Sequence, residues 1–307
     1  MPKFTIIIPC FNAANTILDT LNSIRAQTCT SWEAICIDDG STDLTRELIL
    51  DARKQDSRIK LAPNIAKGPS IARNLAAKAY AQGEILAFCD ADDVWSQSKL
   101  TELEIAFADS TVDAAYGQIA FFKDHPAQAT AFSTIPEGNL TIPMLLGENP
   151  VCTMSNIAVR TDVFLASGGF DKDIVHNEDL EWLIRLVGGG ACVVGIDLCQ
   201  VFYRASQQGL SSDLNNMQSS RDVALQSALL YGFKPTPDAN AIYYRYLARR
   251  ALRLRQARGH ALKFAIKGVR TSPAGFFSSP RRGALTLLGA IASLVLPASL
   301  THFVFSR

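Results

Sequence analysis

The chain has 307 residues, is 48% apolar and carries 30 Lys and Arg against 29 Asp and Glu, which excludes intrinsic disorder and leaves room for one large domain or two smaller ones. The formal net charge of +1 hides an asymmetry, because all the acids lie before Ala239 and from there on twelve bases stand without an acid. A basic segment of this kind predicts an anionic partner, a lipid surface rather than nucleic acid, since no nucleic-acid module is recognisable.

Residues 4–8 form a β-branched run closed by Pro9-Cys10-Phe11-Asn12, and Asn15 is a plausible N-cap for a helix to Arg25 with Ile17, Leu21 and Ile24 on one face. The pattern repeats with a strand over 33–37, the turn Asp38-Asp39-Gly40-Ser41-Thr42-Asp43 and a helix over 44–54. A strand over 58–61 and a helix over 68–82, with Ile71, Leu75 and Ala79 on one face, lead into the apolar run 85–89. Strands alternating with helices of this length call for right-handed βαβ units and a parallel sheet. After Trp95 the spacing predicts a helix over 97–108, a strand over 113–119, a loop or insertion over 125–140, a strand over 151–160 and a short helix capped by Thr161. A helix from Asn177 carries Glu178 and Asp179 in its first turn, strands follow over 191–196 and 199–203, and the chain turns helical from Asp222. The seven cysteines are odd in number and lack a Cys-x-x-Cys pair, which predicts free thiols in a reducing compartment. Met1-Pro2-Lys3 leads straight into a strand, so no secretory signal is expected.

The stretch 83–95 orders the rest. Its buried strand delivers Asp90, Asp92 and Asp93 to a strand carboxyl end, where open α/β sheets bind ligands and a hard cation can bridge carboxylates to a phosphate. On spacing alone, an acidic turn capping the next helix explains these aspartates equally well.

Ile-Ile-Ile-Pro-Cys-Phe-Asn, Asp-Asp-Gly-Ser-Thr-Asp, Gly-Pro-Ser-Ile-Ala-Arg-Asn, Asp-Ala-Asp-Asp, Gly-Gly-Phe-Asp and Glu-Asp followed by Arg185 occur in this order. Over about residues 3–212 the chain thereby resembles the family 2 glycosyltransferases. The resemblance implies a GT-A fold, a Rossmann-like nucleotide-binding sheet flanked by helices, in an inverting sugar transferase that uses a nucleotide-sugar, UDP-linked by preference. It implies Mn²⁺ or Mg²⁺ held by Asp92, with Asp90 on the ribose or supporting the metal and Asp93 orienting the metal or the next helix. It places Pro9, Phe11, Asn12, Asp39, Arg73 and Asp90 around the nucleotide, Phe11 stacking on the base and Asp39 accepting the uracil imide N–H. Asp179 becomes the general base and Glu178 its orienting partner. Core packing for Phe11 and Trp182, helix capping for Asp43 and a salt bridge for Arg73 remain the structural alternatives, and Arg185 and His176 read as structural. The chain departs from the family where Tyr-Arg-x-His is usual: it has Tyr203-Arg204-Ala205-Ser206, so closure over the diphosphate falls to Arg204 or a water.

The expected division is a catalytic domain over 1–215, its nucleotide half at about 1–120 and its acceptor half at about 121–215, followed by a helical, basic, membrane-associating tail over 216–307. Within that tail 245–270 reads as helix, and 283–306 has no charged residue. This apolar segment admits three readings: an interfacial or re-entrant membrane segment, a true span flanked by Arg281-Arg282, or a helix buried in the protein or in a homo-oligomer. The expected acceptor is a lipid-linked or growing polysaccharide on the cytoplasmic face of the membrane. A sugar nucleotidyltransferase and a catalytically silent nucleotide-binding scaffold are the competing readings.

Overall fold

The computed structural model describes residues 1–204, 214–254 and 259–296, and within these it forms two compact units. Of the described residues, 1–140 and 150–204 build the first, and 141–149 with 214–254 and 259–296 build the second.

The first unit opens with β1 (Phe4–Cys10), α1 (Ile17–Arg25), β2 (Trp32–Asp38), α2 (Thr45–Gln55), β3 (Ile59–Pro63), α3 (Pro69–Leu75) and β4 (Ile85–Phe88). β3, β2, β1 and β4 lie side by side and parallel, as the alternating pattern predicts. The apolar runs Phe4, Ile6, Ile8 and Ile85, Ala87 are fully buried because helices cover the sheet. The helix expected over 68–82 is instead α3 followed by a π turn, Ala76–Tyr80. Gly83 then turns the chain where a β-carbon would meet the Thr5 amide nitrogen at 2.5 Å and the Phe4 carbonyl carbon at 2.7 Å.

Beyond β4 the sheet is mixed. β5 (Val94–Trp95), α4 (Lys99–Ala106), β6 (Ala114–Phe122), β7 (Ala131–Phe132), α5 (Ile142–Gly147, part of the second unit), β8 (Ile157–Arg160), α6 (Thr161–Ala166), α7 (Glu178–Gly188) and β9 (Val193–Arg204) complete the order β3-β2-β1-β4-β8-β6-β9-β5, with β7 on β6. β8 runs antiparallel to both β4 and β6.

Several local expectations are corrected. Thr16 rather than Asn15 caps α1, without a side-chain bond. Residues 151–156 are not strand, because the Thr153 hydroxyl accepts from Ser155 N–H and Asn156 bonds the Val151 carbonyl and both backbone groups of Gly117, which folds them into a 3₁₀ turn, Met154–Asn156. The two strands expected over 191–203 are one, β9, whose register against β6 slips at Gln118 so that Asp197 and Leu198 bulge outward, exposed. Thr161 does not cap α6; its hydroxyl donates to the Gly83 carbonyl at 2.7 Å. The stretch 125–140 read as a loop contains β7 and a 3₁₀ turn, Pro126–Gln128.

The second unit gathers α5 with α8 (Leu214–Leu230), α9 (Pro237–Arg253), α10 (His260–Thr271), α11 (Pro273–Phe276) and α12 (Pro280–Ala292) around Leu247, Ala248, Ala265 and Phe276. Thus 141–149, expected in the acceptor half, belongs with these helices, and 245–270 is two helices rather than one. Among the described residues no helix is long and apolar enough to cross a membrane. Arg255, Arg258 and the end of the apolar segment, 297–306, lie outside the described residues.

The β1 backbone at Phe4 and Thr5 leaves a side chain at Gly83 no room. Gly83→Ala is expected to destabilise the protein by about 1–3 kcal/mol through overpacking, read as a lower midpoint in thermal unfolding.

Candidate active site

The carboxyl ends of β1, β2 and β4 bring the expected residues to one edge of the parallel sheet. Asp90, Asp92 and Asp93 follow β4, and each meets a different environment. Asp93 is fully buried; it accepts from the Ser155 hydroxyl and, at 3.0 Å, from the Arg204 backbone N–H. Ser155 Oγ in turn accepts from Asp90 N–H at 2.8 Å. This carboxylate ties the loop to the end of β9, and burial followed by the charges of Asp92 and Asp90 pushes its pKa well up. Asp90 is held at both oxygens, by Arg73 Nη2 at 2.6 Å and by the Thr153 hydroxyl at 3.2 Å. Arg204 Nε holds the Asp92 backbone carbonyl at 2.9 Å, and the half-buried Asp92 carboxylate is pushed up to about 6 by burial and by Asp90.

Arg73 is the cation between these aspartates and the acid pair. Its guanidinium is 4% exposed and donates to Asp90 on one side and to Glu178 Oε1, at 3.1 Å, on the other. The expected nucleotide contact thus comes from a side chain already engaged by two carboxylates. Flanking it, Asn74 exchanges two bonds with the Phe170 backbone. Arg185 reaches the Ser167 and Gly169 carbonyls at 2.6 and 2.7 Å while pairing with Glu181 on its own helix, which bears out its structural reading. Gly168 and Gly169 take positive φ of 82° and 74° to expose those carbonyls. Trp182, left open between core and acceptor cleft, is fully buried with Phe88, Phe164 and Phe170, and its indole N–H donates to Ser167. The loop and α7 so anchored present Glu178 and Asp179 at the helix start, where Asn177 adopts a left-handed φ of 59°. Burial, then the charge of Glu178, pushes Asp179 up to about 7.

On the other side of the edge, Phe11 is 53% exposed, and its ring carries Lys67 Nζ 4.8 Å from its centroid, so it is not core. Pro9 is half-buried in β1, and Asn12, at φ 48°, accepts from the Thr42 amide at 2.8 Å. Asp39 accepts from Asn64 and from Gly68 N–H at 2.7 and 3.0 Å, one bond to each carboxylate oxygen, which leaves further lone pairs on both. Asp43 is a turn residue that accepts from Ala14 and Thr45 amides. Arg204 spans Asp92 and Asp19 over the Phe122 ring. His176 is half-buried beside the acid pair, and Ser206 lies outside the described residues.

Sequence reasoning passed over Thr153, Ser155, Asn64, Lys67 and Asp19. The polar run Thr153-x-Ser155-Asn156 inside an otherwise apolar stretch was the available signal, because buried polar residues must hydrogen-bond. Among the described residues no group of three or more His, Cys, Asp or Glu side chains is placed to hold a metal. Asp92 and Asp90 are nevertheless suited to a Mg²⁺ or Mn²⁺ shared with substrate phosphates, a mode that needs only one or two carboxylates. Burial first, and then the neighbouring Asp90, disfavour the charged form of Asp92, which a cation at this position would offset.

Residues 5–166 match the family described as glycosyl transferase family 2. The chain is 32% identical over 246 residues, 78% of its length and 89% of the relative's, to the Escherichia coli UDP-Glc:alpha-D-GlcNAc-diphosphoundecaprenol beta-1,3-glucosyltransferase WfgD. It is 28% identical over 228 residues, 69% of its length and 82% of the relative's, to the putative teichuronic acid biosynthesis glycosyltransferase TuaG of Bacillus subtilis. Among solved structures it resembles S. aureus TarS 1-349 in complex with UDP-GlcNAc, with a TM-score of 0.63 at 17% identity over 99% of this chain and 91% of that one. It also resembles the mannosyltransferase PcManGT of Pyrobaculum calidifontis in complex with GDP-Man and Mn²⁺, with a TM-score of 0.59 at 20% identity over 99% and 84% of the two chains.

Removing the Arg73 cation strands two carboxylates. Arg73→Met is expected to cost about 3–5 kcal/mol of stability, the range for a buried pair that loses one partner, visible as a shifted denaturant midpoint.

Proposed function

Because the chain belongs to glycosyl transferase family 2, and so is a glycosyltransferase with the GT-A fold, we propose that it moves a sugar from a UDP-sugar to a hydroxyl of a lipid-linked acceptor, with inversion, at the inner face of the cell membrane. The donor and acceptor classes follow the names of its relatives: WfgD and a second E. coli enzyme, WfaP, 30% identical over 217 residues, both use UDP-Glc and a diphosphoundecaprenol-linked sugar. Assembly of a cell-surface polysaccharide is the setting this supports. The observation that carries the reading is the buried Arg73 between Asp90 and Glu178, which joins the nucleotide-side aspartates to the acid pair in a single site.

Phe11, Asn12 and Asp39 receive the nucleotide, the exposed Phe11 ring offering a stacking face and Asp39 an acceptor for a base N–H. The acceptor hydroxyl gives its proton to Asp179 as its oxygen bonds to the anomeric carbon, and the bond from that carbon to the diphosphate oxygen breaks on the opposite face, releasing UDP. Burial, and then the charge of Glu178 that Arg73 holds in place, make Asp179 a stronger base than an exposed carboxylate. When held by Asp92 and Asp90, Mn²⁺ or Mg²⁺ supplies Lewis-acid neutralisation of the leaving diphosphate. Arg204 fixes the backbone of Asp92 and keeps that carboxylate directed while the site is loaded. Competing nucleotidyl transfer releases pyrophosphate, so the product distinguishes the two chemistries.

Four outcomes test the reading. Asp179→Asn is expected to lower kcat by about 10²- to 10⁴-fold with UDP affinity nearly unchanged, measured by UDP release and by calorimetry. Because the base must be ionised, kcat/KM should climb with pH through about 7 and then level. The same raised pKa means the folded state binds more protons than the unfolded one between about pH 4 and 7, so stability falls across that window, and Asp179→Asn should flatten the fall in a Tm-against-pH series. Chelation by EDTA, or Asp92→Ala, is expected to abolish UDP release from the UDP-sugar, with Mn²⁺ restoring only the wild type. Wild-type rates in Asp92→Ala would sink the metal assignment.

A further inference from the structure

Helix α12 is built inside out for a protein surrounded by water. The side it turns to the rest of its unit carries Gly283, Thr286, Gly289 and Ala290, all buried. Leu285, Leu288 and Ile291, spaced by three and therefore on one side of the helix, are 52%, 64% and 50% exposed. The small face is required by contact: a β-carbon on Gly283 would meet the Phe277 ring at 2.6 Å and the Phe276 carbonyl oxygen at 2.8 Å. The hydroxyl of Thr286 donates back to the Arg282 carbonyl, four residues earlier, so it asks nothing of its surroundings. Leu294 and Val295 extend the exposed aliphatic surface just past the helix end.

The charges on α12 and on the neighbouring α10 are all of one sign. Arg281 is exposed at the start of α12 and falls on its aliphatic side, with Arg282 next to it. On α10, which packs against α12, Lys263, Lys267 and Arg270 rim a surface depression together with Ile266. No acid follows Ala239, and two acids elsewhere in this unit are occupied, Glu148 by Arg245 and Asp238 by Ser272.

We infer that α12 lies in the plane of an anionic membrane, with Leu285, Leu288 and Ile291 in the acyl boundary and Arg281, Arg282 and the α10 bases on the headgroups. The helix has 13 residues, about 20 Å at 1.5 Å per residue, against a hydrocarbon core of about 30 Å, so it lies on the bilayer rather than through it. A second copy of the chain is the poorer occupant, because a copy of this face offers aliphatic side chains and further bases but no acid for Arg281 and Arg282, whereas anionic lipid satisfies the aliphatic and the basic groups at once. The inference deepens the proposed function, resting on the reading that the acceptor is lipid-borne. It says how the enzyme is held at the surface that presents that acceptor.

The test is co-sedimentation of the full chain with phosphatidylcholine vesicles containing or lacking 30% phosphatidylglycerol, alongside UDP release with a vesicle-borne and with a water-soluble short-chain acceptor. The wild type should bind the anionic vesicles at least 10-fold better than the neutral ones and release at higher salt. Leu288→Asp/Ile291→Asp should lose at least 10-fold in vesicle binding and in transfer to the vesicle-borne acceptor, with Tm and transfer to the soluble acceptor unchanged. Arg281→Gln/Arg282→Gln, which leaves the aliphatic face intact, should lose the preference for anionic lipid. The inference is overturned if the wild type ignores anionic vesicles, or if the aspartate variant binds them as the wild type does. It is equally overturned if the wild type is a dimer in sedimentation velocity that the aspartate variant dissolves without change in vesicle binding. Vesicle binding without any transfer sinks the proposed function and leaves the membrane face standing; transfer to the soluble acceptor without vesicle binding does the reverse.

Discussion

The first unit depends on one buried cation. Arg73 is held between Asp90 at the end of β4 and Glu178 at the start of α7, and an arginine desolvated to this degree is tolerable only because two carboxylates face it. The arrangement joins segments more than a hundred residues apart in sequence, and it does so where the parallel half of the sheet ends. Its planar fork suits the task, since one guanidinium nitrogen serves each acid and keeps their separation defined. The guanidinium compensates the charge of both carboxylates at the point where they lie close to Asp92 and Asp179.

Those neighbours show how the site stores its chemistry. Asp92 and Asp179 both sit with pKa values pushed up, to about 6 and about 7, for the same two reasons in the same order: burial first, then an adjacent carboxylate. A charge that is costly in the resting protein is one that responds strongly to a cation or to a proton. Asp93 shows the alternative outcome within the same motif, for its carboxylate is spent on the Ser155 hydroxyl and the Arg204 amide and serves to lock the loop. Three aspartates in four positions therefore divide into one anchor, one partner of Arg73 and one carboxylate directed through its backbone.

The second unit is governed by a different constraint. Its inner helices bury alanine, leucine and aromatic side chains in the ordinary way, but α12 buries glycine, threonine and alanine, packs only Leu287 partly against them, and leaves Leu285, Leu288 and Ile291 exposed. Apolar area left in water forgoes its stabilisation, so the exposed aliphatic side of α12, with bases beside it, is the costly feature of this unit.

By itself the sequence determined the alternation of β1 to β4 with their helices, because apolar period and turn residues are local properties, and the ordered motifs identified the family and brought out Phe11, Asp39, Asp90, Asp92, Glu178 and Asp179. It also separated a mixed-charge first part from a basic last part. Tertiary structure alone decided what each of those residues touches. Arg73 reads as any helix cation until Asp90 and Glu178 close on it from distant segments, and Trp182 reads as core or cleft until three phenylalanines surround it. The turn at Thr153 to Asn156 was hidden because its partners, Asp90, Asp93 and Gly117, are remote in sequence, and β9 looked like two strands because its bulge is defined only against β6. The charge-free run after Arg282 could have been a span, an interfacial helix or a core helix, since hydropathy records how apolar a segment is and not which side faces protein. Packing shows which side faces protein over 283–292: Gly283 has no room for a side chain against Phe276 and Phe277, Leu287 packs on the core, and Leu285, Leu288 and Ile291 stay exposed.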